Sequence, residues 1–439
     1  GTSAHTLPHR AGGEPLLRTL RLWSYVCTRD DAVAGNLRIH WLIQPFLHRC
    51  AGHIAARACC GEACFFKKSH FAAVFLWSGV CYGMEITEEI MRFLHTADWH
   101  LGKLFGQRYM TEDQRYVLEE LIALAVDEDV QAVVIAGDVY DRAVPPAEAV
   151  ALFDEVLARL VEKGIAVLYI AGNHDSAARL DFGRELLAAS GVYLRGCVRG
   201  EDAPVVIEDA AGPVYFSLLP FATPAEVRAA FQVTREEPLD FDAAMARQVQ
   251  AARAQIPDGC RSVAVAHAFL AGGRSASSER PLSVGGTDQV RPAHFLPYCY
   301  TALGHLHGPQ RAGAEKIRYA GSLLKYSFDE AAQKKGALVV DIAADGAVET
   351  RFEALAPRHD VRIVRGTLEE LRQADFDPLP HDDYVRVDLL DRATILNAYD
   401  KLTAIYPNLF ALTRPNWQAA QAEELRLRPQ AGAGSELAL

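Results

Sequence analysis

The chain has no excess of basic charge. Its 439 residues carry a formal net charge of −11, so a polynucleotide is not held here by net charge alone, and any grip on one is local or borrowed from a partner. A membrane-length apolar run is also missing. The best candidate, Phe71 to Val80, falls far short of the roughly 20 residues a bilayer demands. No basic segment immediately precedes a signal-like core with a cleavage site, so export is not expected. No internal repeat is found, which excludes a solenoid or propeller. With 50% hydrophobic and 23% charged residues, wholesale disorder is excluded as well. A globular chain of two or three domains is what this length implies.

Cysteine is scarce over most of the chain, and its distribution divides the sequence. Six of the nine cysteines precede residue 91. The first 90 residues hold nine Lys+Arg and seven Asp+Glu, which leaves 36 basic against 49 acidic residues for the rest. This leader shows little sustained helical or strand periodicity and is expected to be unstructured. A zinc knuckle from His53, Cys59, Cys60, Cys64 and His70 is its best functional alternative, but the paired spacings of zinc modules are absent. Thr87-Glu88-Glu89-Ile90 back-translates to a purine-rich stretch of ribosome-binding form just before Met91. The expectation is a translation start at Met91.

From Met91 the pattern is regular. A strand at Arg92 to Thr96 precedes Thr111-Glu-Asp-Gln114, which reads as a capping box opening a helix with Val117, Leu118, Leu121, Ile122 and Ala125 on one face. A strand at Ala132 to Ala136, a helix from Pro145-Pro146 to Leu160 ended by Gly164, and a strand at Ile165 to Ile170 complete a βαβαβ rhythm. That rhythm implies parallel strands with helices on both faces. A hairpin at Val205 to Leu219, a helix at Phe241 to Gln255 and strands at Ser262 to Ala266, Tyr300 to Leu303, Gly336 to Ile342 and Val348 to Phe352 follow. Pro357 marks a boundary, beyond which strand and helix alternate as far as Phe410. The organisation read from this is a leader at 1–90, a main domain at 91–356, a small α+β domain at 357–417 and a fraying tail at 418–439.

Polar residues collect at strand ends. Strand 92–96 runs into Asp98-Trp99-His100, strand 132–136 into Gly137-Asp138-Val-Tyr-Asp141, and strand 165–170 into Gly172-Asn173-His174-Asp175. Two later strands end at His267 and at Gly304-His305-Leu306-His307. Sites in open α/β sheets form beyond the carboxyl ends of strands, so the five clusters should converge. Each alone could be a turn bonding its own backbone or a satisfied core histidine. Their joint occurrence, in this order, points to metal ligation.

This motif set, D-x-H, G-D-x-x-D, G-N-H-D, a lone His and G-H-x-H, resembles that of the calcineurin-like metallophosphoesterases. Within that superfamily, His95 to Gly102, Gly137 to Arg142, Ser278 to Gly286, Arg318 to Ser322 and Ser327 to Glu330 are similar to the SbcD family of bacterial nuclease subunits. The resemblance implies an α/β four-layer sandwich, two central mixed sheets flanked by helices, with a small α+β capping domain. It implies two divalent cations, manganese before others, one held by Asp98, His100 and His307, the other by Asn173, His267 and His305, and bridged by Asp138. Two such cations can clamp a phosphodiester and activate a water. His174 is then the candidate for protonating the leaving oxygen, Asp175 could orient it, and Asp141 supports the ligands from outside. The partners implied are DNA ends or hairpins and an SbcC-type coiled-coil ABC ATPase, with a homodimer inside a heterotetramer, in the bacterial cytoplasm at the nucleoid.

Lys103, Arg108, Arg142, Arg179, Arg274 and Arg280 follow or interrupt the motif loops and are the candidates for DNA phosphate contacts. The Gly/Ser-rich stretch Ala271 to Val290 is expected to border the substrate channel. Two rivals stand beside a nuclease. One is a phosphatase or small-molecule phosphodiesterase, suggested by Gly137-Asp-Val-Tyr-Asp-Arg142, although Asp175 stands where such phosphatases usually have Glu. The other is a noncatalytic DNA-end scaffold, which should have lost a ligand, and none is lost here.

Overall fold

The computed structural model describes residues 90–279 and 288–416, together with the backbone of strands 20–26, 35–36, 72–77 and 80–86. The chain divides into two units, Gly1–Glu89 and Ile90–Leu439. In the first, Leu20–Val26, Gly35–Asn36, Ala72–Trp77 and Val80–Ile86 form an antiparallel sheet. This differs from the expectation of a leader without regular structure. Leu20 pairs with Ile86 and Val26 with Val80, and a ladder between such distant segments leaves no trace in local periodicity. The zinc alternative at residues 53–70, Arg280 and the tail from 417 lie outside the described residues.

The second unit is built on two six-stranded sheets. In the first, Val192–Arg195, Ala166–Ile170, Ala132–Ile135 and Met91–Thr96 lie parallel in that spatial order, and antiparallel Gly336–Ile342 and Val348–Ala354 extend it. In the second, the hairpin Val205–Asp209 and Gly212–Leu219 leads into parallel Arg261–His267, Tyr300–Gly304 and Ala314–Tyr319, with Gln310–Ala312 at the edge.

Side chains alternate across each strand, so a fully apolar strand feeds two cores. Leu94, Val133, Ile135, Val167 and Tyr169 meet Val117, Leu118, Leu121 and Ile122 of helix Thr111–Asp127 and Leu152, Phe153, Val156 and Leu160 of helix Ala147–Glu162. Their neighbours Met91, Phe93, Ala132, Val134, Leu168 and Ile170 turn the other way, onto Val214, Phe216, Val263, Val265, Tyr300 and Ala302 of the second sheet. The outer face of that sheet carries helix Phe241–Arg253 through Met245 and Val249. The result is four layers, helix, sheet, sheet, helix. Helices on both faces of one sheet, implied by the βαβαβ rhythm, give way to a second sheet on the inner face, because that face is apolar over six strands and only another sheet matches its breadth.

The helix expected to open on a capping box does so differently. Met110, not Thr111, sits at the N-cap and its side chain makes no capping bond. Gln114, read as the closing residue of the box, is buried and turned inward. Helix Ala147–Glu162 follows Pro146 and stops before Gly164, whose φ of 76° suits glycine.

Beyond Pro357, Val361–Gly366, Tyr384–Leu389 and Leu409–Thr413 make a three-stranded parallel sheet with its own core of Val364, Leu371, Val385, Val387, Leu402 and Tyr406. It docks on the hairpin Leu104–Phe105 and Arg108–Tyr109. Phe105 stacks on Phe410 at 4.5 Å, the Tyr384 hydroxyl donates to Asp113 at 2.8 Å, and Arg108 donates to Asn408 at 2.5 Å.

Candidate metal centre

The strand ends of both sheets meet in one cradle. After Met91–Thr96 and Ala132–Ile135 the two chains lock together: Asp98 N–H donates to Gly137 O (3.0 Å), His100 N–H to Asp138 O (3.0 Å) and Leu101 N–H to Val139 O (2.9 Å). The lock holds side chains in a backbone region they normally avoid. Asp98 (φ 53°), His100 (46°), Asp138 (49°) and His305 (103°) all lie in the left-handed region, each at a cost of order 1–3 kcal/mol. Gly137 is required here: at φ +90° a Cβ would meet His267 Nδ1 at 2.5 Å. A Cβ on Gly172 would strike the Asp138 carboxylate.

Asp98, His100 and His307 bring one ligand atom each within 4.8 Å of one another, and so do Asp98, Asp138 and His267. His100 Nε2 faces His307 Nε2 at 3.0 Å. On the other side, Asn173 Oδ1 lies 2.9 Å from His267 Nε2 and 3.1 Å from His305 Nδ1. Between them, Asp138 Oδ2 is 3.6 Å from His100 Nε2 and 3.5 Å from His267 Nε2. The seven residues that the resemblance implies as ligands thus lie close together, with Asp138 between His100 and His267.

The site fits a pair of divalent cations. His100 Nδ1 and Asn173 Nδ2 are buried without a hydrogen-bond partner, and such orphans are rare in a settled core. Burial, then the neighbouring imidazoles, push His100 well below the ordinary histidine range and His305 to about 3. Burial also lowers His267 and His307. Neutral imidazoles are what a metal requires. Burial and the adjacent Asp138 push Asp98 well above the usual carboxylate range. Asp138 stays below it, because the imidazoles of His267 and His174 and the His174 N–H outweigh burial. Two dry carboxylates cannot both hold charge beside each other unless a cation is shared. Mixed imidazole, carboxylate and amide donors suit a transition-metal ion better than calcium.

A model of the calcineurin-like phosphoesterase family matches residues 91–223, the stretch carrying Asp98, His100, Asp138 and Asn173. A second, the type 5 capsule protein repressor C-terminal domain, matches residues 357–434. The chain is 33% identical over 324 residues to the SbcD subunit of the nuclease SbcCD from Staphylococcus epidermidis, covering 74% of this chain and 85% of that protein. The chain belongs to the SbcD family. Among solved structures it is similar to TT1561 of Thermus thermophilus, at 14% identity and TM-score 0.35 over 61% of this chain and 99% of that one. A dimetal phosphatase from Danio rerio matches at 14% identity and TM-score 0.33 over 60% and 99%.

In this SbcD-family chain the residues around the ligands are only partly those anticipated. His174 Nε2 points at Asp138 Oδ2 from 3.9 Å, and its Nδ1 is held by the Asp141 carbonyl at 2.8 Å. Asp175 does not orient it. That carboxylate instead accepts the N–H groups of Gly172 (2.9 Å), Tyr140 (2.8 Å) and Val139 (3.1 Å), bracing the two metal loops against each other. Burial and Asp138 push it up to about 7. Asp141 pairs with Lys103 at 2.8 Å and lies 3.8 Å from His100 Nδ1.

Gln114 was missed. Its amide donates to His100 O at 2.7 Å and its Oε1 accepts from Gly102 N–H at 3.0 Å, so it ties the first metal loop to the helix behind it. The inward turn of a polar residue is invisible in a helix whose opening spells a capping box. His95 is a core residue, bonded to the Tyr300 hydroxyl at 2.9 Å, and Trp99 is buried against Phe153. Of the cations proposed for DNA, Arg142, Arg179 and Arg274 are exposed. Lys103 is tied to Asp141 and Arg108 to the small C-terminal sheet, over the Phe410 ring.

Proposed function

We propose that this chain is the nuclease subunit of a DNA-processing complex, hydrolysing phosphodiesters at DNA ends or hairpins together with an SbcC-type coiled-coil ABC ATPase in repair and recombination. The convergence of the seven donors around Asp138 Oδ2, 3.6 Å from one imidazole group and 3.5 Å from the other, carries the reading. The similarity to the SbcD subunit of the Staphylococcus epidermidis nuclease supports it. Asp98, His100 and His307 would hold one divalent cation and Asn173, His267 and His305 a second, with Asp138 available to both; manganese bound there would supply Lewis acidity toward the phosphoryl group.

The protein's own groups do the rest. His174 Nδ1–H donates to the Asp141 carbonyl, which aims Nε2 into the site; as the imidazolium the ring can give its Nε2 proton to the leaving oxygen. Asp175, Gln114 and the Asp141–Lys103 pair hold the loops still. Arg142, Arg179 and Arg274 are exposed and suit the flanking phosphates. Residues 91–356 act as the phosphoesterase domain and 357–417 as a cap that presents the substrate. By the same family resemblance the proposed assembly is a homodimer within a heterotetramer with the ATPase. Among the described residues no helix is long and apolar enough to cross a membrane, and the bacterial nucleoid is the proposed site of action.

The test is cleavage of end-labelled hairpin and duplex DNA with and without manganese, beside a phosphopeptide and p-nitrophenyl phosphate. Metal-dependent cutting of DNA with little release of phosphate from the peptide is expected; the reverse preference makes the chain a phosphatase.

A further inference from the structure

A buried ion pair lies behind the site with no part in the chemistry above. Glu330 and Lys335 are 0% and 6% exposed. Taking two charges out of water costs several kcal/mol per ion, so a pair of this kind earns no presumption of stability by itself. Beside contacts to Gln333, Ser327 and Tyr326, the pair reaches one metal-ligand candidate from several sides. Lys335 Nζ donates to Glu330 Oε2 at 2.5 Å, to the Ser322 hydroxyl at 2.9 Å and to the carbonyl oxygen of His307 at 2.7 Å. The other carboxylate oxygen, Glu330 Oε1, accepts from the Ser278 hydroxyl at 2.5 Å. Ser278 Oγ lies 2.7 Å from His307 Nδ1, and Glu279 Oε1 accepts the backbone N–H of His307 at 2.7 Å.

His307 is thus held at its carbonyl, its amide and its ring. A serine hydroxyl has one proton. Given to the Glu330 carboxylate, it leaves the oxygen only the role of acceptor toward the ring, so His307 Nδ1 carries the hydrogen and Nε2 keeps its lone pair toward His100 Nε2, 3.0 Å away. The residues delivering Ser278 and Glu279 cross the His305-Leu306-His307 turn closely. Arg274 N–H donates to Gln310 Oε1 at 2.9 Å, and Gln310 Nε2 donates back to Arg274 O at 2.8 Å. At Gly273 a Cβ would meet Leu306 Cδ1 at 2.5 Å, so a side chain there would have to push the buried Leu306 aside.

We infer that residues 273–279 are a positioning strap: Ser278, anchored on the Glu330–Lys335 pair, sets the tautomer and aim of His307, and through it the affinity of the Asp98, His100 and His307 cation site. The inference rests on the two-cation reading. Positioning and binding then share one free energy, so the cation must order the strap by as much as the strap favours the cation.

Manganese titration calorimetry on the full chain, paired with hydrogen exchange over 271–279, tests this. Ser278→Ala should weaken one of the two manganese sites about 10–100-fold, the usual loss when the group behind a ligating histidine is removed, and leave the other unchanged. Ser278→Thr should restore most of it. Gly273→Ala, which removes no polar group, should weaken the same site by a smaller factor. In the wild type, manganese should slow exchange over 271–279, and in Ser278→Ala it should not. Wild-type affinity at both sites in Ser278→Ala and Gly273→Ala, or exchange over 271–279 indifferent to manganese, overturns the strap. A wild type that takes up fewer than two manganese ions refutes the two-cation reading instead.

Discussion

The two six-stranded sheets make unequal gifts to the site. The sheet begun by Met91–Thr96 contributes both carboxylates and the amide, Asp98, Asp138 and Asn173, with His100 and His174. The sheet containing Arg261–His267 and Tyr300–Gly304 contributes imidazoles alone, His267, His305 and His307. Neither brings all seven candidate donors by itself. The charge that attracts a metal comes from one sheet, and most of the neutral nitrogens that complete it come from the other. The centre therefore exists only when the apolar faces of the two sheets are packed, and its geometry is a consequence of that core.

The division of labour between the sheets is most exposed at Asp138. Asp138→Asn removes the one carboxylate between the two imidazole groups, and cleavage at saturating manganese should fall below about 1% of wild type with both ions weakened; the fold, checked by circular dichroism, should persist. A surviving activity of several per cent would reject Asp138 as the bridge. His174 belongs to the carboxylate sheet but is assigned no metal. His174→Ala should slow single-turnover cleavage about 10²–10⁴-fold with manganese content unchanged, and a lost ion in calorimetry would move His174 into the ligand set.

The packing between the sheets is probed at Phe93, buried edge-on to Phe216 at 5.5 Å and Tyr300 at 5.9 Å. Phe93→Ala should destabilise the second unit by about 3–5 kcal/mol in denaturant unfolding, and manganese should recover part of it, since the ions bind only the packed state. An equal loss with and without metal would separate the core from the site. The mildest change is at the cap. Phe410→Ala removes the 4.5 Å stack on Phe105 and should lower cleavage of long duplex DNA about tenfold through positioning, with hydrolysis of a small phosphodiester untouched. A parallel fall in both would make 357–417 part of one core.

Much of this was legible in the sequence because ligands at strand ends must obey short spacings. Asp98-Trp99-His100 and Gly304-His305-Leu306-His307 are fixed by the turn that follows each strand, and the seven candidate donors can be picked out from such spacings. What failed depends on tertiary direction. Gln114 satisfies the pattern of a capping box, yet in the fold it caps nothing and reaches the loop of His100. Asp175 sits beside His174 in sequence, but its carboxylate faces the backbone of 139–140. Ser278, Glu279, Glu330 and Lys335 meet at His307 from separate segments, a convergence no periodicity encodes. The strands Gln310–Ala312 and Ala314–Tyr319 are too polar to read as strands alone; Ala314–Tyr319 takes its order from Tyr300–Gly304 beside it, and Gln310–Ala312 from Ala314–Tyr319.

One site is shared between the two sheets. Anomalous diffraction at the manganese edge, from crystals of the full chain grown with the metal, measures it directly. Two peaks are predicted, one against Asp98, His100 and His307, the other against Asn173, His267 and His305, with Asp138 touching both. A single peak, or a peak held only by His100, Asp141 and His174 of the first sheet, would contradict it.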